Sequence, residues 1–183
     1  MDWQFDAGHT HIGFTGRHLM VSTVRGAFER FEGSVQFDEN DVVHSQAEIH
    51  IEAASVNTHN TQRDEHFRSA DFFDTAHYPY ITFKSKRIVM RDAHHGQLIG
   101  DLTIRDITKE VVLDGEFSGV SQSPWNTYSA GFNLRGKVNR KDWGLNWTMV
   151  LAGGGLVAGD EITLAIDLEL TKPVEVAALA QVE

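Results

Sequence analysis

Histidines are the residues of this sequence whose type and spacing first suggest chemistry. The chain has ten of them. His9 and His11 stand two positions apart, so both imidazoles would point to one face of a β-strand, and His18 follows on the same stretch. Neutral imidazoles bind Zn²⁺ and other transition metals, and catalytic sites keep one coordination position open. A metal-dependent enzyme that uses His9, His11 and His18 is therefore one hypothesis for the function.

The residues that follow this pair disfavour the metalloenzyme. The cupin pattern, in which two such histidines lie on a barrel strand, also needs a Glu a few residues later, where this chain has Gly16, Arg17 and His18. No Asp or Glu stands between His11 and Arg25 to complete a ligand set. We therefore keep the cupin-like enzyme as an alternative and expect no metal or other cofactor.

Other enzyme motifs are missing from the sequence. It contains no GxSxG elbow, P-loop or GxGxxG, and with no cysteine it has no thiolate nucleophile. The run from Arg63 to His66 offers charged groups, but we expect Arg63 and Asp64 to fix a helix to a neighbouring turn. The glycines at 153–155 are expected to form a flexible loop because no helix follows them. The sequence indicates a protein that is not an enzyme.

Charge and composition argue against a nucleic-acid-binding protein and against a protein with a membrane-spanning helix. The formal net charge is −10 over 183 residues, and the basic residues are scattered, which disfavours nucleic acid. No apolar run reaches the roughly 18–20 residues of a membrane-spanning helix. The N-terminus shows no signal peptide, so we expect a cytoplasmic protein, or a periplasmic one if a leader has been removed. The length and the lack of a linker indicate one domain.

Most of the chain alternates apolar and polar residues with a period of two, which is typical of half-buried strands. The clearest case is 45–56, where Ala47, Ile49 and Ile51 share one face. A bulge or bend is expected between Phe28 and Phe31, whose phases differ. The pattern predicts eight strands, at 11–18, 26–37, 45–56, 80–90, 98–104, 110–119, 128–139 and 161–170.

One stretch, 60–85, departs from the strand pattern. It predicts a short helix with Asn60 or Thr61 as its N-cap and Asp64 in the first turn, ended before Pro79. Phe67, Phe72 and Phe73 would form an apolar knob on this segment. The mouth of a barrel or the open end of a sandwich is the place where such a knob can be buried.

About eight antiparallel strands with one apolar face each are typical of an up-and-down barrel that can hold one small ligand. A two-sheet sandwich has the same periodicity, so the pattern alone leaves both architectures open. The fold class is all-β in either case.

Motifs along the chain add a resemblance to this pattern. They are Asp6, His9 and Phe14, then 17–20 and 26–28, Arg63-Asp64 with His66, 71–74, Tyr78-Pro79, 102–104 with Thr108, Asn139-Arg140, Trp143-Gly144 and Gly159-Asp160. In this order and spacing the chain resembles the YceI family of lipocalin-like proteins associated with polyisoprenoid binding. The resemblance implies an eight-stranded antiparallel barrel over residues 1–171, with a helix near one mouth and a C-terminal tail at 172–183.

The resemblance also implies an apolar ligand inside the barrel, a polyisoprenoid or a prenylated quinone, which the protein would carry or sequester. The inward residues predicted to contact it are Phe14, Phe28, Phe31, Val35, Phe37, Ile49, Ile51, Ile81, Phe83, Leu102, Leu113, Phe132, Leu134, Trp143, Leu164 and Ile166. The same residues would also suit a filled core, so a barrel that acts through protein partners stays an alternative. The sequence allows a homodimer as well.

Overall fold

Eleven strand segments and one α-helix make up the computed structural model, which describes residues 2–150 and 157–174. The helix α1, Thr61–Arg68, lies between the sixth and seventh strands, and short 3₁₀ turns occupy Val42–His44, Ala53–Ser55 and Arg140–Trp143. The strands are β1 Gln4–Phe5, β2 His11–His18, β3 Ser22–Phe28, β4 Phe31–Gln36, β5 Gln46–Glu52, β6 Val56–Asn57, β7 Tyr80–Met90, β8 His95–Ile104, β9 Ile107–Gln122, β10 Thr127–Asn139 and β11 Ala158–Pro173.

The strands form a single antiparallel sheet that curls into a barrel-like shape. Its order is β4-β5-β7-β8-β9-β10-β11-β2-β3-β6, and β1 pairs with the end of β11. From β7 to β11 each strand pairs with the next one in the chain, which is the up-and-down arrangement. One continuous ladder of this kind is not a two-sheet sandwich. The all-β, antiparallel, lipocalin-like prediction is therefore confirmed.

The predicted count of eight strands is wrong, and the physical reason lies at Glu29 and Arg30. These two residues divide the predicted strand 26–37 into β3 and β4. The backbone N–H groups of both residues donate to the hydroxyl of Ser55, each at 3.1 Å, and Ser55 is buried. This fixes the bend, so that β3 pairs with β2 and β6 while β4 pairs with β5. The two-residue segments β1 and β6 make up the rest of the difference.

A seam runs along the curled sheet between β1 and β4. In residues 2–150 and 157–174, no hydrogen-bonded ladder joins these two strands. Side chains fill the seam instead: the rings of Phe5 and Phe31 meet edge to face with centroids 6.1 Å apart. A Cβ on Gly33 of β4 would stand 3.0 Å from the Phe5 ring, so the strands approach closely here.

The predicted helix is confirmed, including its cap. The Asn60 side chain accepts a hydrogen bond from the backbone N–H of Arg63 at 3.0 Å. Asp64 is buried, and its Oδ1 accepts from the N–H of Thr58 at 2.9 Å and from the Thr58 hydroxyl at 2.5 Å. Arg63 donates to the Thr58 hydroxyl at 2.8 Å. Arg63 and Asp64 thus fix α1 to the preceding turn, as predicted.

The ends of the chain need two further remarks. Strand β11 continues through Lys172 and Pro173, the first residues of the predicted tail. The remainder of that tail and the predicted glycine loop at 153–155 lie outside the described residues. Within the described part, the single α-helix has eight residues, and no helix has the length and apolar character needed to cross a membrane.

Candidate ligand-binding site

The inward faces of the strands enclose an apolar cavity of about 200 Å³ next to α1, called the outer cavity below. It exists because alternate residues of each strand point to one side of the sheet, and on this side they are apolar. The predicted residues that line it are Phe14, Phe28, Ile49, Ile51, Ile81, Phe83, Leu102, Leu113, Leu134, Trp143, Leu164 and Ile166.

Aromatic rings close the end of the outer cavity that faces α1. Phe67 at the end of the helix packs against Phe72 and against Phe14 of β2, with centroids 4.9 Å and 6.2 Å apart. Phe73 meets Phe28 of β3 at 5.5 Å. The knob predicted from the sequence therefore sits in the mouth, where its residues join the cavity wall.

Arg140 is the charged residue that borders the outer cavity, and its charge is turned away from any ligand. It is 4% exposed, and its guanidinium donates to the carbonyls of Gly159 at 2.9 Å, of Trp147 at 2.8 Å and of Leu145. Burial lowers the pKa of Arg140, and the nearby Asp160 carboxylate partly offsets this. Because its donors bind carbonyls and Asp160, Arg140 offers the cavity little besides its carbon stem.

A second apolar cavity, of about 100 Å³, lies toward the end of the sheet away from α1 and is called the inner cavity below. The predicted residues Val35, Phe37 and Phe132 line it, together with Phe117 and Leu170. The ring of Phe37 packs against Phe132 with centroids 5.2 Å apart and against Phe117 at 5.7 Å. Aromatic clusters therefore stand at both ends of the enclosed space.

Four residues border both cavities and are called the waist below. They are Ala47 of β5, Leu98 of β8, Leu134 of β10 and Leu168 of β11. They come from opposite parts of the curled sheet, because β7, β8 and β9 separate β5 from β10 in the strand order.

All the predicted lining residues except Phe31 border one of the two cavities. Phe31 packs against Phe5 at the seam and against the hydrophobic core, and it borders neither cavity. The prediction omitted Ala47, Leu98 and Leu168, although the apolar faces of their strands would have included them. Whether the lining residues contact a ligand stays a prediction.

The three histidines of the alternative hypothesis are not brought together. His11 and His18 occupy opposite ends of β2, which places them roughly 23 Å apart at ~3.3 Å per residue. His9 precedes the strand, and its Nδ1 bonds the carboxylate of Asp6 at 3.0 Å. In the described part of the chain, one group of close metal-type ligands is found, Asp6, His9 and Glu169, and it lies at the surface. A three-histidine site is therefore not formed.

The surface pair of Asp6 and His9 is electrostatically coupled. The hydrogen bond that His9 donates to the Asp6 carboxylate, together with the negative charges of Asp6 and Glu169, raises the pKa of His9. The same hydrogen bond lowers the pKa of Asp6; burial opposes this, and the backbone N–H groups of Gly8 and His9 add to the lowering.

Comparisons with known proteins agree with this geometry. The YceI-like domain matches residues 3–170. A UPF0312 protein of Staphylococcus aureus strain N315 is 36% identical over 171 residues, which are 93% of this chain and 97% of the relative. The crystal structure of a Campylobacter jejuni YceI protein is 33% identical, with a TM-score of 0.74 over 85% of this chain and 89% of that chain.

A more distant structure shares the fold alone. It is described as a polyisoprenoid binding domain from Saccharophagus degradans implicated in plant cell wall breakdown. It is 15% identical, with a TM-score of 0.66 over 94% of this chain and 99% of that domain.

Proposed function

Because this chain belongs to the YceI-like domain family, we propose that it is a binding protein that holds a long apolar molecule inside its curled sheet. The cargo we propose is a polyisoprenoid or a prenylated quinone, which the protein carries or sequesters. The polyisoprenoid-binding description of the structural neighbour from Saccharophagus degradans supports this choice of ligand class.

The observation that carries the proposal is an interior built almost wholly of hydrocarbon. Inward residues such as Ile49 and Leu98 are only partly buried although they lie inside the sheet, because they face the cavities. Apolar surface of this kind gains about 25 cal/mol per Å² when a ligand removes it from water. The walls provide hardly any polar partner, so a polar head group would remain at the surface while an apolar tail lies inside.

The free energies of burial and association favour a long chain over a small molecule as the ligand. Each buried CH₂ contributes about 0.8 kcal/mol, so a five-carbon isoprene unit contributes at most roughly 4 kcal/mol. Association itself costs on the order of 4–15 kcal/mol. One unit would therefore bind hardly at all, whereas several units give measurable affinity. The cavities together reach about 300 Å³, at the lower end of the roughly 300–1,000 Å³ of ligand pockets.

Mass spectrometry of an organic extract of the purified protein tests the proposal, with transition metals assayed on the same sample. A stoichiometric isoprenoid or quinone is the expected result. Stoichiometric fatty acids or fatty amides would keep the binding role and overturn the isoprenoid class. An extract without lipid, combined with no binding of added prenyl alcohols, would overturn the binding role itself.

Two further expectations remain part of the proposal. We propose a cytoplasmic location, which cell fractionation with an antibody against the chain would test. A monomer is sufficient for the proposed binding, because the described cavities lie within one chain; light scattering on the eluting protein would reveal a homodimer.

A further inference from the structure

The waist between the two cavities carries an inference about which chains the protein accepts. We propose that Ala47 is a specificity-determining residue that lets a chain pass from the outer into the inner cavity, so that both cavities hold one molecule. This rests on the proposed function, and it adds a selection for chain length that the apolar lining alone does not provide.

The two cavities meet at the waist, where the same side chains form part of both walls. Leu98, Leu134 and Leu168 border both, and Ala47 stands with them from β5. The residues of the waist come from β5, β8, β10 and β11, so several strands form it rather than one. A chain that exceeds the length of the outer cavity would reach the inner cavity by passing between these side chains.

Ala47 is the member of the waist with the smallest side chain; Val35 lies opposite it on β4, and the small Ser85 lies beside it on β7. The hydroxyl of Ser85 on β7 accepts a hydrogen bond from the N–H of Ala47 at 2.8 Å, and Ser85 is in register with Gly100 on β8. The space beside Gly100 is already taken, since a Cβ there would clash with the Phe83 ring. Because Ala47 borders both cavities, a larger side chain at this position is expected to narrow the waist between them.

The volumes indicate where the length limit lies. An engineered cavity of about 150 Å³ holds benzene, which has six carbons. On that scale the outer cavity of about 200 Å³ holds roughly eight carbons, and the inner cavity adds roughly four. A chain of ten carbons therefore lies mainly in the outer cavity, whereas one of fifteen carbons fills both cavities and leaves about three carbons outside them.

Titrations of wild-type protein and of Ala47→Phe with two prenyl alcohols test the inference. The probes are geraniol, with two isoprene units, and farnesol, with three, and binding is followed by calorimetry. In the wild type, farnesol is expected to bind about tenfold more tightly, below the ceiling of ~15-fold that two further buried carbons allow. In Ala47→Phe, geraniol should lose at most ~15-fold, because about two of its carbons lie beyond the outer cavity, and the gain for farnesol should fall below about threefold, since its added carbons find no buried surface.

A matched control introduces the same phenylalanine side chain in the outer cavity, away from the waist. Ile104 lines the outer cavity and does not border the inner one, so Ile104→Phe should weaken both alcohols by similar factors. A folded Ala47→Phe that retains the wild-type gain for farnesol would overturn the inference. So would an equal loss of both alcohols in Ala47→Phe, because the passage would then have no separate role.

Two milder variants keep the test decisive if Ala47→Phe does not fold. Ala47→Val should reduce the farnesol gain in part, and Leu98→Ala, which widens the waist, should preserve or increase it. A larger farnesol gain in Ala47→Val than in Leu98→Ala would overturn the inference. A wild type that binds neither alcohol would instead overturn the proposed function, so the two failures are distinguishable.

Discussion

The indole Nε1 of Trp143 donates a hydrogen bond of 3.0 Å to the backbone carbonyl of Leu102, and both residues line the outer cavity. Trp143 is 2% exposed. The bond ties the 3₁₀ turn that follows β10 to strand β8 across the cavity wall. A buried indole needs a partner for its N–H, and here the partner also fixes the ring against the ligand space.

Replacing Trp143 by Phe should lower the free energy of unfolding. The change removes the hydrogen bond from the indole to the carbonyl of Leu102, which contributes about 1 kcal/mol, and the smaller ring adds a packing loss. Urea denaturation measures the difference. Trp147, which is only partly buried and packs against His66 and Phe72, serves as the matched control: Trp147→Phe should cost less than about 1 kcal/mol. Equal losses in the two variants would contradict the role given to the hydrogen bond.

Asp64 is expected to hold α1 in the mouth. In Asp64→Ala the N–H and hydroxyl of Thr58 lose their acceptor, so stability should fall by about 1–3 kcal/mol. Glu65 on the same helix is exposed and pairs with Arg68 at 2.8 Å, so Glu65→Ala should change stability by less than about 1 kcal/mol. Chemical denaturation of both variants makes the comparison. A loss in Glu65→Ala as large as that in Asp64→Ala would show that the anchoring assigned to Asp64 is wrong.

Arg140 should not tolerate replacement by Lys. A lysine keeps the charge but cannot place planar N–H donors on the carbonyls of Gly159, Leu145 and Trp147. We expect Arg140→Lys to lower stability by about 3 kcal/mol, since each carbonyl left unpaired costs roughly 1–3 kcal/mol. Thermal and urea unfolding would measure it.

The control for Arg140 is Arg135, which is half exposed and pairs with Asp167 at 3.1 Å. Arg135→Lys retains a surface ion pair and should change stability by less than about 1 kcal/mol. Equal free energies of unfolding for the two lysine variants would show that the hydrogen bonds of Arg140 stabilise the fold no more than a surface ion pair does.

The pKa of His9 should lie above its ordinary value of 6.5. A raised pKa in the folded state means that the Asp6–His9 pair contributes its stabilisation below pH 6.5 and loses it as the pH rises through the folded-state pKa. NMR titration of the imidazole measures this value directly. Asp6→Asn should bring the pKa back toward 6.5, and Glu169→Gln should lower it less, because Glu169 acts through charge alone. An unchanged pKa in Asp6→Asn would contradict the pairing.

Alternation in the sequence was sufficient to predict the strand faces and most of the cavity lining. The reason is that a strand with one wet and one dry face repeats every two residues, as Ile49 and Ile51 do on β5. Pro79 and the Asn60 cap act locally, so the helix could be placed as well. These predictions depend on residues that are close in sequence.

The errors all arose where distant residues decide the structure. The bend at Glu29 and Arg30 is held by Ser55, about 25 residues later, and the sequence pattern shows only a change of phase. Strand β1 is two residues long, too short to show a period, and pairs with β11 at the other end of the chain. The waist likewise depends on Leu134 and Leu168 approaching Ala47 across the sheet.

The seam between β1 and β4 has a mechanical consequence. A fully closed barrel has its radius set by strand number and shear, so it cannot swell without breaking rows of hydrogen bonds. Here the sheet can widen by separating side chains such as Phe5 and Phe31. Widening at the seam would enlarge the space of about 300 Å³ without breaking a ladder of backbone hydrogen bonds. For the proposed binding role, the capacity of the interior would then depend on the size of the bound molecule.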